Sequence, residues 1–449
     1  MSSALWIHTY SNRKIFVLFL VLIVVQAIDA TIGALADIFR DFAVSFWGIA
    51  LFVGFSIIYG FGQYFLLNIV KAKNKEHDIN RTHFKMLEKT VTAVQYILIA
   101  IIAFVVLQII FASQYYTGVL NIAVTISAGF AVYILGLLAY WFLSWFIRTK
   151  APIVLLYGLA MAVSATTTIG LIIIFNNALL DKQAIITPQS EVIYPDPSNW
   201  ANTFQTISGV VSFVLVWSGT VLLLRHNIHR IGRIKFWTLS STPLIVFSTI
   251  YLSLYQVVPS FAGATDDPIN SIVIPTLFII YSGIAAAILI GLAFSSIAKS
   301  LSNETSIKDY LFIASYGFIL FFITTLTSIA GGGYPPFGII NVLLFGPLSF
   351  LILTGLYRSA VSVAEDTKLR RLIRDTTKKE LDLLYDIGSA ETSKEIEKKV
   401  MTITKKNRDV LAQQSGVEPS LTEKEIQDLV SVIQEERKNR IKSDKGRKP

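Results

Sequence analysis

Long apolar stretches separated by short polar connectors run through the first 363 residues of the chain, and a strongly charged segment follows them. Ten stretches stand out, at 15–39, 43–69, 91–113, 117–147, 153–180, 204–224, 236–258, 271–298, 310–330 and 339–363. Each meets the roughly 20 residues that an α-helix needs to cross a bilayer. None alternates with a period of two, so the pattern predicts helices and excludes a closed barrel. The fold expected is all-α: a polytopic transmembrane bundle of about ten helices over 1–363, with a short helical cytoplasmic tail over 364–441. Residues 442–449 form a basic, disordered end.

Within the tail, Leu369, Leu372, Ile373, Leu383, Leu384 and Ile387 recur at helical spacing and Gly388 supplies a stop. Thr392 with Glu395 reads as a capping box that starts a second helix through Ile396, Val400, Ile403, Val410 and Leu411. Thr422 with Glu425 starts a third. Three short amphipathic helices bury little surface alone. They are expected to pack on each other, on the basic loops, or on a cytoplasmic partner or second copy through 365–441.

Composition agrees with the pattern: 53% of residues are hydrophobic, only 15% are charged, and the mean hydropathy is +0.59. Charge is more informative in its placement than in its sum. The net charge of +9 fits topology and anionic lipid better than nucleic acid, which is not an expected partner. Of the Lys and Arg in 1–364, seventeen fall on the side of Arg13 and Arg358, and only Arg40 and Lys182 on the other. The positive-inside rule then puts both termini in the cytoplasm and the chain in the plasma membrane. Arg13 and Lys14 precede an apolar run as in a signal peptide, but Ala27-Ile28-Asp29-Ala30 is a poor cleavage site, so a retained first helix is expected. The absence of cysteine excludes disulfides, thiolate metal sites and thiol nucleophiles.

Candidate chemistry is sparse. Asp29 is the one ionisable residue well inside a span, about 21 Å along the helix from Ile15. With Gln26 and Gly33 on neighbouring turns it reads either as a proton or cation relay or as a carboxyl that bonds another helix. Ser164, Thr167 and Thr168 share one face of the fifth span near the midplane, where transporter sites lie; hydroxyls there also bond preceding carbonyls and permit close packing, the better reading. Asn176 and Asn177 end that helix. Pro243, Pro275 and Pro347 offer hinges in three later spans. Gly331 to Gly338 predicts a tight outer turn lined by aromatics. Arg225, Arg230, Arg233 and Lys235 suit lipid headgroups, and they would repel a metal from the nearby His226 and His229. No metal site, cofactor or catalytic residue is expected, and no hydrolase, P-loop or sensor-kinase motif occurs.

The run Tyr357-Arg358-Ser359-Ala360-Val361-Ser362-Val363-Ala364-Glu365-Asp366, with Leu383-Leu384-Tyr385-Asp386-Ile387-Gly388-Ser389-Ala390, is similar to multi-pass membrane proteins of ammonia-oxidising archaea. The resemblance covers the last span and the tail. It implies an archaeal plasma membrane and no activity. From the residues alone, the leading expectation is a non-enzymatic sensor or scaffold that couples a membrane domain to a cytoplasmic tail. The alternatives are a secondary transporter using Asp29 and the midplane hydroxyls, and an accessory subunit of a membrane complex.

Overall fold

The computed structural model describes residues 12–76, 82–180, 184–191, 200–225, 228, 232–254, 273–301, 306–327, 333–365 and 381–415. Among them nine helices are long and apolar enough to cross a membrane. The chain is a multi-pass membrane protein folded as a helical bundle.

The first expected span breaks early. Helix α1, Asn12–Ala34, is followed by turns over 35–39, a short α2, Arg40–Val44, and the long α3, Phe46–Glu76. Ser45 makes the corner between α2 and α3, since its hydroxyl donates to Phe42 O and accepts from the Gly48 N–H. Then come α4, Thr82–Ala112, α5, Thr117–Thr149, α6, Pro152–Leu180, and α7, Trp200–Leu224. Helix α8, Arg233–Leu254, occupies the place of the seventh expected span and carries Pro243 in its interior; it does not stand among the nine. Pro275, by contrast, sits in the first turn of α9, Ile274–Ser300, where its missing N–H costs nothing. Pro347 likewise lies in the first turn of α11, Phe345–Glu365, which follows α10, Ser306–Thr327. Only Pro243 therefore sits where a proline can bend a helix.

Contacts between helix ends divide the bundle into two faces. On one, Lys73 near the end of α3 pairs with Asp309 of α10 at 2.8 Å, and Tyr310 donates to Lys73 O. On the other, β1, Tyr115–Tyr116, pairs antiparallel with β2, Ile185–Ile186, in a two-residue ribbon that the apolar pattern did not reveal. Arg40 joins this distal face by donating to Gln189 O and Ser190 O.

Helix α11 is the last apolar span in sequence and the centre of the bundle in space. It packs on α3, α4, α5 and α10, and within 340–365 every residue but Ser362 and Glu365 is buried within the chain. Glycine permits part of this enclosure: Gly355 lies against the backbone of Tyr310 and Ala314, where any side chain would collide.

In the described part of the tail, the boundary expected between the first two helices is absent. A single helix α12, Asp382–Ser415, runs through Gly388 and through Thr392 and Glu395. Gly388 does not stop the helix, because its missing side chain lets α12 rest directly on Val363 of α11. Thr392 does not cap one, because its hydroxyl bonds Gly388 O one turn back. The segments expected at 369–373 and from Thr422 onward lie outside the described residues.

Candidate functional site

The distal connector does not form the outer turn expected of its glycines and prolines. From Gly333 onward it folds inward and is buried, with a turn over 337–339 and a 3₁₀ turn, Ile340–Leu344, that leads directly into α11. Irregular backbone among membrane helices must find its hydrogen bonds within the protein. Three helices and β1 supply them here.

Asp29 of α1 is central to this arrangement. It is fully buried, with Oδ1 accepting the Gly338 N–H at 2.9 Å and Oδ2 accepting the Tyr59 hydroxyl of α3 at 3.1 Å. One turn along α3, Gln63 donates its amide to Leu343 O at 3.4 Å. Ser127 of α5 donates to Val342 O and Leu343 O, and accepts the Gly346 N–H at the start of α11. From the distal side Tyr115 donates to Gly333 O, while Tyr334 reaches back to Ile109 O of α4.

Packing completes the clamp. Gly33, one turn beyond Asp29, lies against Phe337 so closely that an added methyl carbon would sit 2.6 Å from its carbonyl oxygen. The Phe337 ring meets Phe52 and Phe55 edge-on. A shallow cleft opens over the segment, lined in part by Gly33, Arg40, Ser190, Tyr334 and Phe337.

Gln26, on the same face of α1 as Asp29, donates to the Thr324 hydroxyl of α10 at 2.8 Å. Asp29 and Gln26 thus belong to one polar cluster around the start of α11. The midplane hydroxyls belong to another. Ser164 shares a hydrogen bond of 2.5 Å with Ser212 of α7, Thr167 donates to Val163 O, and Thr168 donates to Ser164 O. Their bonds are spent between α6 and α7 or within α6, as packing requires. Asn176 likewise accepts from Asn121 of α5.

Comparisons with protein-family models, with curated proteins and with solved structures return no match.

At the opposite end, α11 meets the tail. Trp145 Nε1 of α5 donates to Glu391 of α12 at 3.1 Å, and Arg148 pairs with Glu397 at 2.7 Å. Beside them Trp141 and Phe84 both stack on Tyr357, and the buried Arg358 guanidinium lies 4.1 Å from the Phe84 centroid. Among the candidate headgroup residues, Arg225, Arg233 and Lys235 are exposed, as such contacts need. Arg230, with His226 and His229, lies outside the described residues.

Sequence reasoning singled out Asp29 and Gln26 but missed Tyr59, Gln63, Ser127 and Gly338. A tyrosine, a glutamine and a serine in apolar helices are unremarkable singly. Their signal is that Tyr59 and Gln63 are four residues apart on one face of α3.

Proposed function

We propose that this protein is a membrane-embedded sensor in which α11 couples the distal segment to the docking of the tail helix. One observation carries the reading: the same rigid, enclosed helix begins at the segment held by Asp29 and ends against α12 through Val363. Coupling of two sites needs an element that both ends can bias. A buried helix with little room to deform is such an element, because close-packed interiors transmit displacement. No catalytic role is assigned. In this reading the tail faces the cytoplasm of a plasma-membrane protein, as the basic connectors favour, and its helix offers the output surface.

The chain has no cysteine, so spin labels can be introduced at will. Tyr140→Cys on α5 and Ile396→Cys on α12 are both exposed, and a nitroxide pair there reports tail docking by double electron–electron resonance. Asp29→Asn is expected to shift or broaden that distance distribution. An unchanged distribution overturns the coupling.

A second reading, secondary transport, is favoured by the irregular segment and the buried acid that meet among the helices, an arrangement used for substrate and ion sites. Cation- or proton-driven uptake into proteoliposomes, abolished by Asp29→Asn with tail distances unchanged, would establish it in place of the sensor.

A further inference from the structure

The polar cluster at the start of α11 leaves two amide oxygens unsatisfied. Gln26 Oε1 and Gln63 Oε1 are both buried without a hydrogen-bond partner. Their orientation is set by what their nitrogens do. The Gln26 amide donates to Thr324, whose hydroxyl is itself committed to Leu320 O. The Gln63 amide donates to Leu343 O, which a glutamine side chain can meet only through its nitrogen. Turning either amide over would remove an existing bond, so both oxygens stay directed away from those acceptors.

Asp29 lies between them in the network. Gln26 is three residues before it on α1, and Gln63 is four residues after Tyr59, whose hydroxyl binds Asp29. Asp29 and Gln63 also grip the same stretch of backbone, at Gly338 N and Leu343 O. Both carboxylate oxygens accept hydrogen bonds from neutral donors, which leaves lone pairs unused on each. Among the described residues Asp29 makes no ion pair. Orphaned amide oxygens and an uncompensated carboxylate are each costly in the interior of a membrane bundle.

We infer that Asp29, Gln26 and Gln63 form a binding site for a dehydrated monovalent cation, Na⁺ or K⁺, at the point where the irregular segment enters α11. A water molecule would satisfy two acceptors but supply no charge. A small hard cation satisfies oxygen acceptors and balances the carboxylate together, and the carbonyls of unwound backbone are among the groups with which membrane proteins hold such ions. The site deepens the sensor reading by naming its cue, and it rests on that reading only for that consequence.

The test is thermal unfolding of the full chain in mild detergent, with NaCl, KCl or choline chloride at constant ionic strength. The midpoint is expected to rise and saturate with one alkali cation and not with choline. Identical midpoints in all three salts overturn the proposal on the wild-type protein alone. Asp29→Asn is expected to abolish the saturable response. Gln26→Leu and Gln63→Leu are expected to weaken half-saturation by about tenfold or more, the scale on which supporting groups act at metal sites. Ser164→Ala is expected to leave it unchanged. A full response in Asp29→Asn or in both glutamine variants would also overturn the site. A second measurement separates site from cue: exchange of the active cation for choline is expected to shift the spin-pair distances between positions 140 and 396. Saturable binding with unchanged distances would keep the cation site and defeat its role as the sensed signal.

Discussion

Replacing Gly33 by alanine puts a methyl group into space that the distal segment already fills. Its carbon would stand 2.6 Å from Phe337 O, 2.8 Å from Phe337 C and 2.9 Å from Gly338 Cα. All three are backbone atoms, so no rotamer change relieves the contact and the segment must move as a unit. Overpacking of this kind costs about 1–3 kcal/mol. The movement also loosens the Gly338 N–H bond to the Asp29 carboxylate, a class of bond worth about 1.5–3 kcal/mol. Alanine recovers about 1 kcal/mol of helix propensity over glycine. The net expectation is a loss of about 2–4 kcal/mol of stability. The assay is unfolding in mixed micelles by SDS titration, followed by far-ultraviolet circular dichroism. Gly54→Ala is the matched control, because on α3 a methyl carbon there meets nothing within 4 Å. It is expected to be neutral or to gain up to about 1 kcal/mol. Equal midpoints for Gly33→Ala and Gly54→Ala would refute the tight clamp between α1 and the distal segment.

Other expectations follow from the same geometry. Tyr59→Phe removes a neutral donor from a buried carboxylate and is expected to cost about 1–3 kcal/mol in the same unfolding assay; a cost below about 0.5 kcal/mol would mean that the Tyr59 bond does not hold Asp29. Ser164→Ala and Ser212→Ala, combined in a double-mutant cycle, are expected to show coupling near the roughly 0.6 kcal/mol typical between membrane helices. Strict additivity would remove their hydrogen bond from the account. Arg148→Ala together with Trp145→Phe is expected to free α12, read as faster trypsin cleavage at Lys398 and Lys399 with the membrane domain intact. Unchanged cleavage would show that the Val363 contact holds the tail alone.

The architecture was legible in the hydrophobic pattern wherever a helix face and its surroundings agree. Spans appeared where apolar runs exceeded the bilayer thickness, and Asp29 stood out because ionisable groups are rare among them. The apolar pattern could not show that 339–363 lies inside the bundle, because a helix surrounded by protein and one surrounded by lipid are equally apolar. Local rules failed where tertiary contact took over the same residue. Gly388 has the composition of a helix stop, yet its use is the close approach of α12 to α11. Gly331 to Gly338 has the composition of an exposed turn, yet the described part, from Gly333, is drawn inward by Asp29, Tyr115 and the Phe52–Phe55 pocket for Phe337. The partners of Asp29 come from residues 30 and 309 positions away, a separation no local pattern encodes.

Central placement of α11 also bears on how the bundle is assembled. Helices enter a membrane in the order of their synthesis, so α3, α4, α5 and α10 arrive before the helix that they enclose. Until Gly338 and the residues after it are made, the groove that will receive α11 faces lipid, and Asp29, Gln63 and Ser127 lack the backbone that they later bind. Insertion of α11 is then the closing step of assembly, and the polar groups at its entrance provide a register that only the correctly threaded segment satisfies.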